Sequence, residues 1–276
     1  MANRPNLVKR RLGRRLTRLR TAANMSPQDV VDARIDVSRS KLWRIESGQA
    51  ARITMGDVLA LCRIFSVQDR ELEHELCRMA QESGEQGWWE PYGAGVPAWF
   101  QLFVELEQDA AEMRIYESEF INGLFQTEDY MRAVYATSPF LRSQATDQAV
   151  ALRMARQKDF WSRSPLPQVN LVMSEAAVRR RVGGGDTLAK QIDLLREKAA
   201  LPSIHLWVIP DDAGAHPSMS RTYTLMGFSD SDDPSVVYSE SIDGCRYDDT
   251  DEMFATAGDT FNATKAMAIP IEEHLK

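Results

Sequence analysis

Between residues 12 and 67 the chain carries four short apolar seams in succession, three of them opened by a helix-capping residue. That rhythm constrains the fold more than any other feature. Leu12, Leu16, Leu19 and Ala23 recur at the spacing of one helix face. Ser26 caps a second helix and places Pro27 at its first position, where a missing N–H costs nothing. Ser38 opens a third, in which Leu42 and Ile45 form the buried seam. Thr54 opens a fourth, with Asp57 in its first turn and Val58, Leu61 and Phe65 on its apolar side. A fifth, from about residue 69 to 81, carries Leu72, Leu76 and Met79. The expectation is an all-α N-terminal domain of five short helices around one small core.

Charge divides the 276 residues in two. Residues 1–80 hold 16 Lys/Arg against 9 Asp/Glu, whereas the remainder holds 17 against 31. Within residues 1–52 the imbalance is steeper, 13 against 4. An acidic chain overall therefore carries a basic head, the footprint of a polyanion partner. A solvated helix face is the plain alternative for the arm KRRLGRRLTRLR. No stretch approaches the roughly 18 apolar residues that span a bilayer, and the basic N-terminus has no apolar run behind it. The expected location is the cytoplasm, nucleoid-associated when bound. Cys62, Cys77 and Cys245 have neither metal spacing nor disulfide logic.

The pieces LGRRLTRLR, SPQDVVD, VSRSKLWRIESG and TMGDVLALCRIF stand in order across about fifty residues. In that order residues 12–67 resemble the helix-turn-helix domain of the XRE family, the group of the lambda-type repressors. The resemblance implies that the third helix enters the major groove by its N-terminal end. It puts Arg39, Ser40, Lys41 and Arg44 at base edges or phosphate, and Gln28 and Ser38 on the DNA backbone. Arg10, Arg11, Arg14 and Arg15 would add sequence-neutral attraction to phosphate. It also implies a homodimer on a pseudo-palindromic operator in double-stranded DNA.

The segment QESGEQGWWEPYGAG, with its glycines and Pro91, marks a junction over residues 83–96 between a domain at 1–82 and a larger one at 97–276. Beyond it, residues 97–117 read as one amphipathic helix, with Trp99, Leu102, Phe103, Leu106, Ala110 and Met113 on a face. Helices follow near 127–136, 146–161 and 186–200, the last capped by Asp186. Strands follow at 169–173, 204–208, 221–228 and 235–240, and a final helix spans 251–268. Helices first and then a strand-rich stretch indicate an α+β domain.

The pieces WWEPY, FVELEQDAAEMRIYE, INGLFQTEDYMRAVY, RMARQKDFW, LVMSEAAVRRRVGG, IHLWVIPDDAGAHPSM and VVYSES are similar to the C-terminal domain of unknown function found in many actinobacterial regulators of the WhiJ-like and Scr-type groups. That resemblance implies an antitoxin-like regulator of transcription whose larger domain docks a small protein encoded beside it. In place of the usual Pro-Gly-Leu-Leu-Gln-Thr, this chain reads Asn122-Gly123-Leu124-Phe125-Gln126-Thr127. The alternative is a small-molecule sensor with an aromatic pocket drawn from Trp88, Trp89, Trp99 and Trp207. Catalytic signals are weak. Gly183-Gly184-Gly185-Asp186 lacks the lysine of a phosphate cradle, and His205 and His216 match no zinc spacing. Glu107, Glu175 and Glu240 serve equally as partners for arginines. The expectation is no enzyme, no cofactor and no metal.

Overall fold

The computed structural model describes residues 7–33, 37–83, 98–137, 143–229, 233–241 and 244–275. By its contacts the chain separates into two units, Met1–Glu90 and Pro91–Lys276. The expected junction at 83–96 falls, apart from Ser83, outside the described residues.

The first unit is helical: α1 (Leu7–Ala22), α2 (Pro27–Asp32), α3 (Arg39–Glu46), α4 (Met55–Ile64) and α5 (Arg70–Glu82). Its starts are capped as their sequences dictate. Ser26 and Thr54 each accept a bond from the backbone three residues on, while Asp29 and Asp57 accept from the cap's own N–H. Four otherwise orphan donors are thereby satisfied. Leu12, Leu16, Val30, Leu42, Ile45, Val58, Leu61 and Leu76 share the buried core. Burial raises the Cys62 thiol to about 11, with nearby Glu73 adding to the effect, so Cys62 behaves as a small hydrophobe.

Two glycines let α1 and α3 touch. A Cβ on Gly13 would stand 2.4 Å from the Ile45 carbonyl oxygen and 2.6 Å from that of Glu46. Gly48, at φ +69°, takes the left-handed position that ends α3. The Gly48 N–H donates to the Ile45 carbonyl and the Gln49 N–H to that of Arg44, at 3.1 and 2.8 Å, the pair of bonds of a Schellman cap.

The second unit is built on a seven-stranded mixed sheet of order β6-β5-β4-β1-β2-β3-β7. The strands are β1 (Glu112–Glu117), β2 (Gln168–Ser174), β3 (Ile204–Ile209), β4 (Tyr223–Gly227), β5 (Val236–Ser241), β6 (Gly244–Asp248) and β7 (Ile269–Pro270). β1, β2 and β3 run parallel, and the other neighbouring pairs are antiparallel. Helices α6 (Ala98–Asp109), α7 (Glu128–Ala136), α8 (Ser143–Trp161), α9 (Glu175–Arg179), α10 (Gly185–Ala199), α11 (Asp251–Lys265) and α12 (Ile271–His274) surround it. An all-α first unit followed by a larger unit of helices and sheet is the architecture the sequence indicates.

Two details differ. The single helix expected over 97–117 stops at Asp109, and Glu112–Glu117 is a strand at the centre of the sheet. Leu102, Leu106 and Ala110 fit a helix, but Met113 and Ile115 also alternate with charged residues, and a run this short satisfies both periods. The glycine cluster caps α10 through Gly184, at φ +97°, without a side-chain bond, and Asp186 lies in the first turn rather than at the cap.

Alternation along each strand sorts the sheet into two faces. Tyr116, Val172, Trp207, Ile209, Tyr223, Leu225 and Val237 pack on one side with Phe254, Ala257 and Phe261 of α11. Glu117, Thr224, Tyr238 and Glu240 therefore fall on the opposite side, which they share with Phe103 of α6 and Arg153 of α8. There a buried ion pair joins α6 to α8, with Arg156 Nε 2.6 Å from Glu107 Oε1 and Nη2 donating to Oε2 at 3.1 Å.

Candidate nucleic-acid interface and ligand cavity

α3 is fixed by its buried side and offers the other. Leu42 and Ile45 are enclosed in the core, whereas Ser38, Arg39, Ser40, Trp43 and Arg44 are exposed. Ser38 accepts from the Lys41 N–H at 3.2 Å and so caps the start of the helix. The helix is held on both flanks. Arg20 forks onto Glu46 at 2.7 and 3.1 Å and donates to the Met25 carbonyl at 2.8 Å.

On the other flank Lys41 Nζ lies 2.7 Å from Asp57 Oδ1. Burial alone would raise the Asp57 carboxyl, but bonds from Lys41 and Thr54 outweigh it and hold the group below the usual carboxylate range. Lys41 thus ties α3 to the start of α4. That interaction has no signal in sequence spacing. Trp43 is 58% exposed and shares no seam with the core.

Of the residues expected at the DNA backbone, Gln28 is exposed and donates to Asp32 at 3.0 Å. Arg10, Arg11, Arg14 and Arg15 are half-buried along α1 rather than free of the domain. Arg15 lies 2.6 Å from Glu75 of α5. Among the arginines expected at DNA, Arg39 and Arg44 of α3 are the exposed ones.

In the larger unit, Trp88 and Trp89 lie outside the described residues, as does the side chain of Trp99. Trp207 sits on the α11 face, where Lys265 Nζ stands 4.7 Å over its ring. A cavity of about 260 Å³ lies on the other face instead, lined by Phe100, Phe103, Glu117, Phe120, Arg153 and Glu240 among others. It sits where β1 and β5 end and β4 begins. Ligands of open α/β sheets collect in such crevices beyond strand carboxyl ends.

Its floor is the segment 121–127, with a 3-10 turn over Gly123–Phe125, whose backbone is satisfied by side chains. Gln157 donates to the carbonyls of Gly123 and Gln126, Trp161 to that of Leu124, and Gln191 to that of Phe125. Gln191 also accepts from the Thr127 N–H at 2.8 Å. A buried loop needs such partners, and three residues from two helices supply them.

Asn122, where the resembling proteins carry proline, accepts from the Leu124 N–H and donates to Glu117 Oε1 at 2.8 Å. Burial pushes the Glu117 carboxyl up to about 7; the Asn122 bond opposes this, Glu240 adds to it and Arg153 opposes it. Arg153 donates from Nη1 to Gln126 Oε1 at 2.6 Å and lies 4.7 Å over the Tyr135 ring. Its Nε is enclosed and has no hydrogen-bond partner among the described residues. Burial holds the guanidinium below its ordinary range; Tyr135 opposes this and Arg156 reinforces it.

The remaining candidates stay apart from this cavity. His205 is an exposed position on β3. His216 stands beside Tyr116, with ring centroids 5.4 Å apart, on the α11 side. Glu175 accepts from the Asp211 N–H and from Arg179. No group of three or more His, Cys, Asp or Glu side chains among the described residues could hold a metal ion. No helix among them is long and apolar enough to cross a membrane.

Comparison with known proteins gives two matches. A helix-turn-helix domain matches residues 11–76, which run from the second turn of α1 to the middle of α5. No curated protein and no solved structure matches the chain significantly. A domain of unknown function, DUF5753, matches residues 100–276, more than half of the chain and nearly all of the larger unit. The chain therefore belongs to the DUF5753 family and carries a DNA-binding helix-turn-helix domain at its head.

Proposed function

We propose that the protein is a sequence-specific regulator of transcription, of the XRE kind, which binds a pseudo-palindromic operator as a homodimer. The observation that carries this reading is α3. Its inner face is locked by Leu42, Ile45, Arg20–Glu46 and Lys41–Asp57, and its outer face presents Arg39, Ser40 and Arg44. A fixed helix with exposed arginines reads guanine edges at about 1–3 kcal/mol per bidentate contact. Two copies are needed because one small head makes too few contacts for high specificity, and the larger unit holds the pair together.

The larger unit is an effector domain rather than an enzyme, and the protein works in the cytoplasm on the nucleoid. The resemblance supports an antitoxin-like role in which a small partner protein docks there. The charged cavity favours a small molecule as the signal. Selection of sheared genomic DNA by the purified protein, sequenced beside the same selection with Arg39→Ala/Arg44→Ala, tests the first half. A shared inverted repeat retained by the wild type alone is expected. Equal enrichment by both proteins would remove α3 from the role.

A further inference from the structure

Arg153 and Arg156 lie one helical turn apart on α8 and flank the same cavity, yet their charges are settled differently. Arg156 is matched by Glu107 through two contacts and is only 5% exposed. Arg153 has an amide oxygen, an aromatic face and an enclosed Nε without an acceptor. Glu117 and Glu240 act on this guanidinium from across the cavity, but among the described residues no carboxylate bonds it directly, and one anionic group entering the cavity would do so. Gly123 lies beside both groups: a Cβ there would come within 3.4 Å of Arg153 Nε and of Arg156 Nη2, in van der Waals contact with each.

The sheet wall has the opposite sign. Glu117 uses Oε1 to accept from Asn122, and its Oε2 has no hydrogen-bond partner among the described residues. Glu240, two residues beyond Tyr238 on the same face of β5, accepts from the Tyr238 hydroxyl at 2.6 Å. An apolar wall completes the enclosure. Phe100 stacks on Phe103 at 5.3 Å, and Phe103 meets Tyr238 at 4.5 Å.

We propose that this cavity is the receptor site for a small zwitterion, an α-amino acid or a molecule of that pattern. Arg153 takes the carboxylate, Glu117 with Glu240 beside it takes the ammonium, and the apolar part lies against Phe100, Phe103 and Phe120. Size agrees with this class. At about 30 Å³ per water in the liquid, 260 Å³ holds on the order of nine water-sized groups, which suits one amino acid better than a peptide or a dinucleotide. The floor is already braced by Gln157, Trp161 and Gln191, so little ordering is left to oppose binding.

The inference rests on the reading of the larger unit as an effector domain, and the experiment separates the two. Full-length protein is titrated by calorimetry with the common L-amino acids at millimolar concentration. For the best binder, the N-acetyl form and the carboxamide form follow. Saturable binding of the free amino acid, at least tenfold weaker for each blocked form, is expected. Arg153→Gln should erase the preference for free carboxylate over carboxamide, and Glu117→Gln the preference for free amine over N-acetyl. Arg153→Lys serves should the glutamine variant unfold, and should weaken binding while keeping the charge.

Equal binding of either blocked form would overturn the proposal, because a lone anion or lone cation site would suffice. So would no saturable binding by any amino acid. Operator retention is measured on the same preparation. Intact operator binding without amino-acid binding refutes the zwitterion site and leaves the regulator standing. Amino-acid binding without operator binding does the reverse.

Discussion

Glu117 is held in a cavity that raises its carboxyl from the ordinary value of 4.5 to about 7. Burial is the main cause, helped by Glu240 and opposed by the Asn122 bond and by Arg153. An acid whose folded pKa is raised contributes stability below its unfolded value and loses it as pH climbs through the folded value. Below pH 4.5 the carboxyl is uncharged in both states, so that stability is fully present. Between 4.5 and 7 the unfolded chain ionises and the folded one does not, so stability falls as pH rises.

Linkage gives a loss of about 3 kcal/mol by pH 8, each tenfold change in the ionisation constant being worth about 1.36 kcal/mol. Glu117 retains some contact with solvent through the cavity, so screening reduces this to about 1–2 kcal/mol. Glu117→Gln keeps an oxygen to accept from Asn122 and removes the titration. The variant should melt about 2–8 °C higher than wild type in the larger unit at pH 8, on the usual scale for a domain of this size. At pH 5 the two should differ little. Melting curves followed by circular dichroism across that range decide the matter. A gain of equal size at both pH values, or a loss at pH 8, would refute the reasoning that the carboxylate is buried at a cost.

Removing one partner of the enclosed ion pair, as in Glu107→Gln, leaves Arg156 uncompensated and should cost about 3–5 kcal/mol in denaturant titrations; a loss under about 1 kcal/mol would mean that water reaches the pair. Gly13→Ala drives a methyl into the Ile45 and Glu46 carbonyls and should cost about 1–3 kcal/mol as an overpacked contact. Because α3 must shift, operator affinity should drop more than a surface alanine elsewhere on α1 would cause, and unchanged affinity would show that the two helices separate harmlessly. Thr54→Ala removes the cap of α4 and the hydroxyl bond to Asp57, at about 1 kcal/mol by thermal denaturation. Sedimentation of the full chain at micromolar concentration should give a dimer; a monomer that still protects both halves of an inverted repeat would place dimerisation on the DNA.

The head of the molecule was legible residue by residue because its determinants are local. A Ser26 or Thr54 hydroxyl reaches an amide three residues away, and Leu12, Leu16, Leu42 and Ile45 reveal one face through spacing alone. The exposed ends of Arg39 and Arg44 follow from that same spacing, since positions opposite a buried seam face water. Lys41 was not legible. Its partner Asp57 lies on another helix, and nothing in sixteen residues of separation announces the contact.

The larger unit shows where local signals end. Glu112–Glu117 satisfies helix and strand periodicity together, and only pairing with β2 and β4 selects the strand. Of the tryptophans expected in a pocket, Trp207 lies on the α11 face, and the side chains of Trp88, Trp89 and Trp99 are outside the described residues; Glu117 and Arg153 line a cavity on the opposite face. Phenylalanines, Glu117 and Arg153 meet there because strand register puts odd positions of β1 and even positions of β4 and β5 on one face. Capping and helix faces are properties of a few neighbouring residues, so the sequence by itself determined them. A cavity whose walls come from α6, β1, α8 and β5 depends on which strands pair and in what register. Only the tertiary structure decided that, because pairing energy is shared among segments that no single stretch of sequence contains.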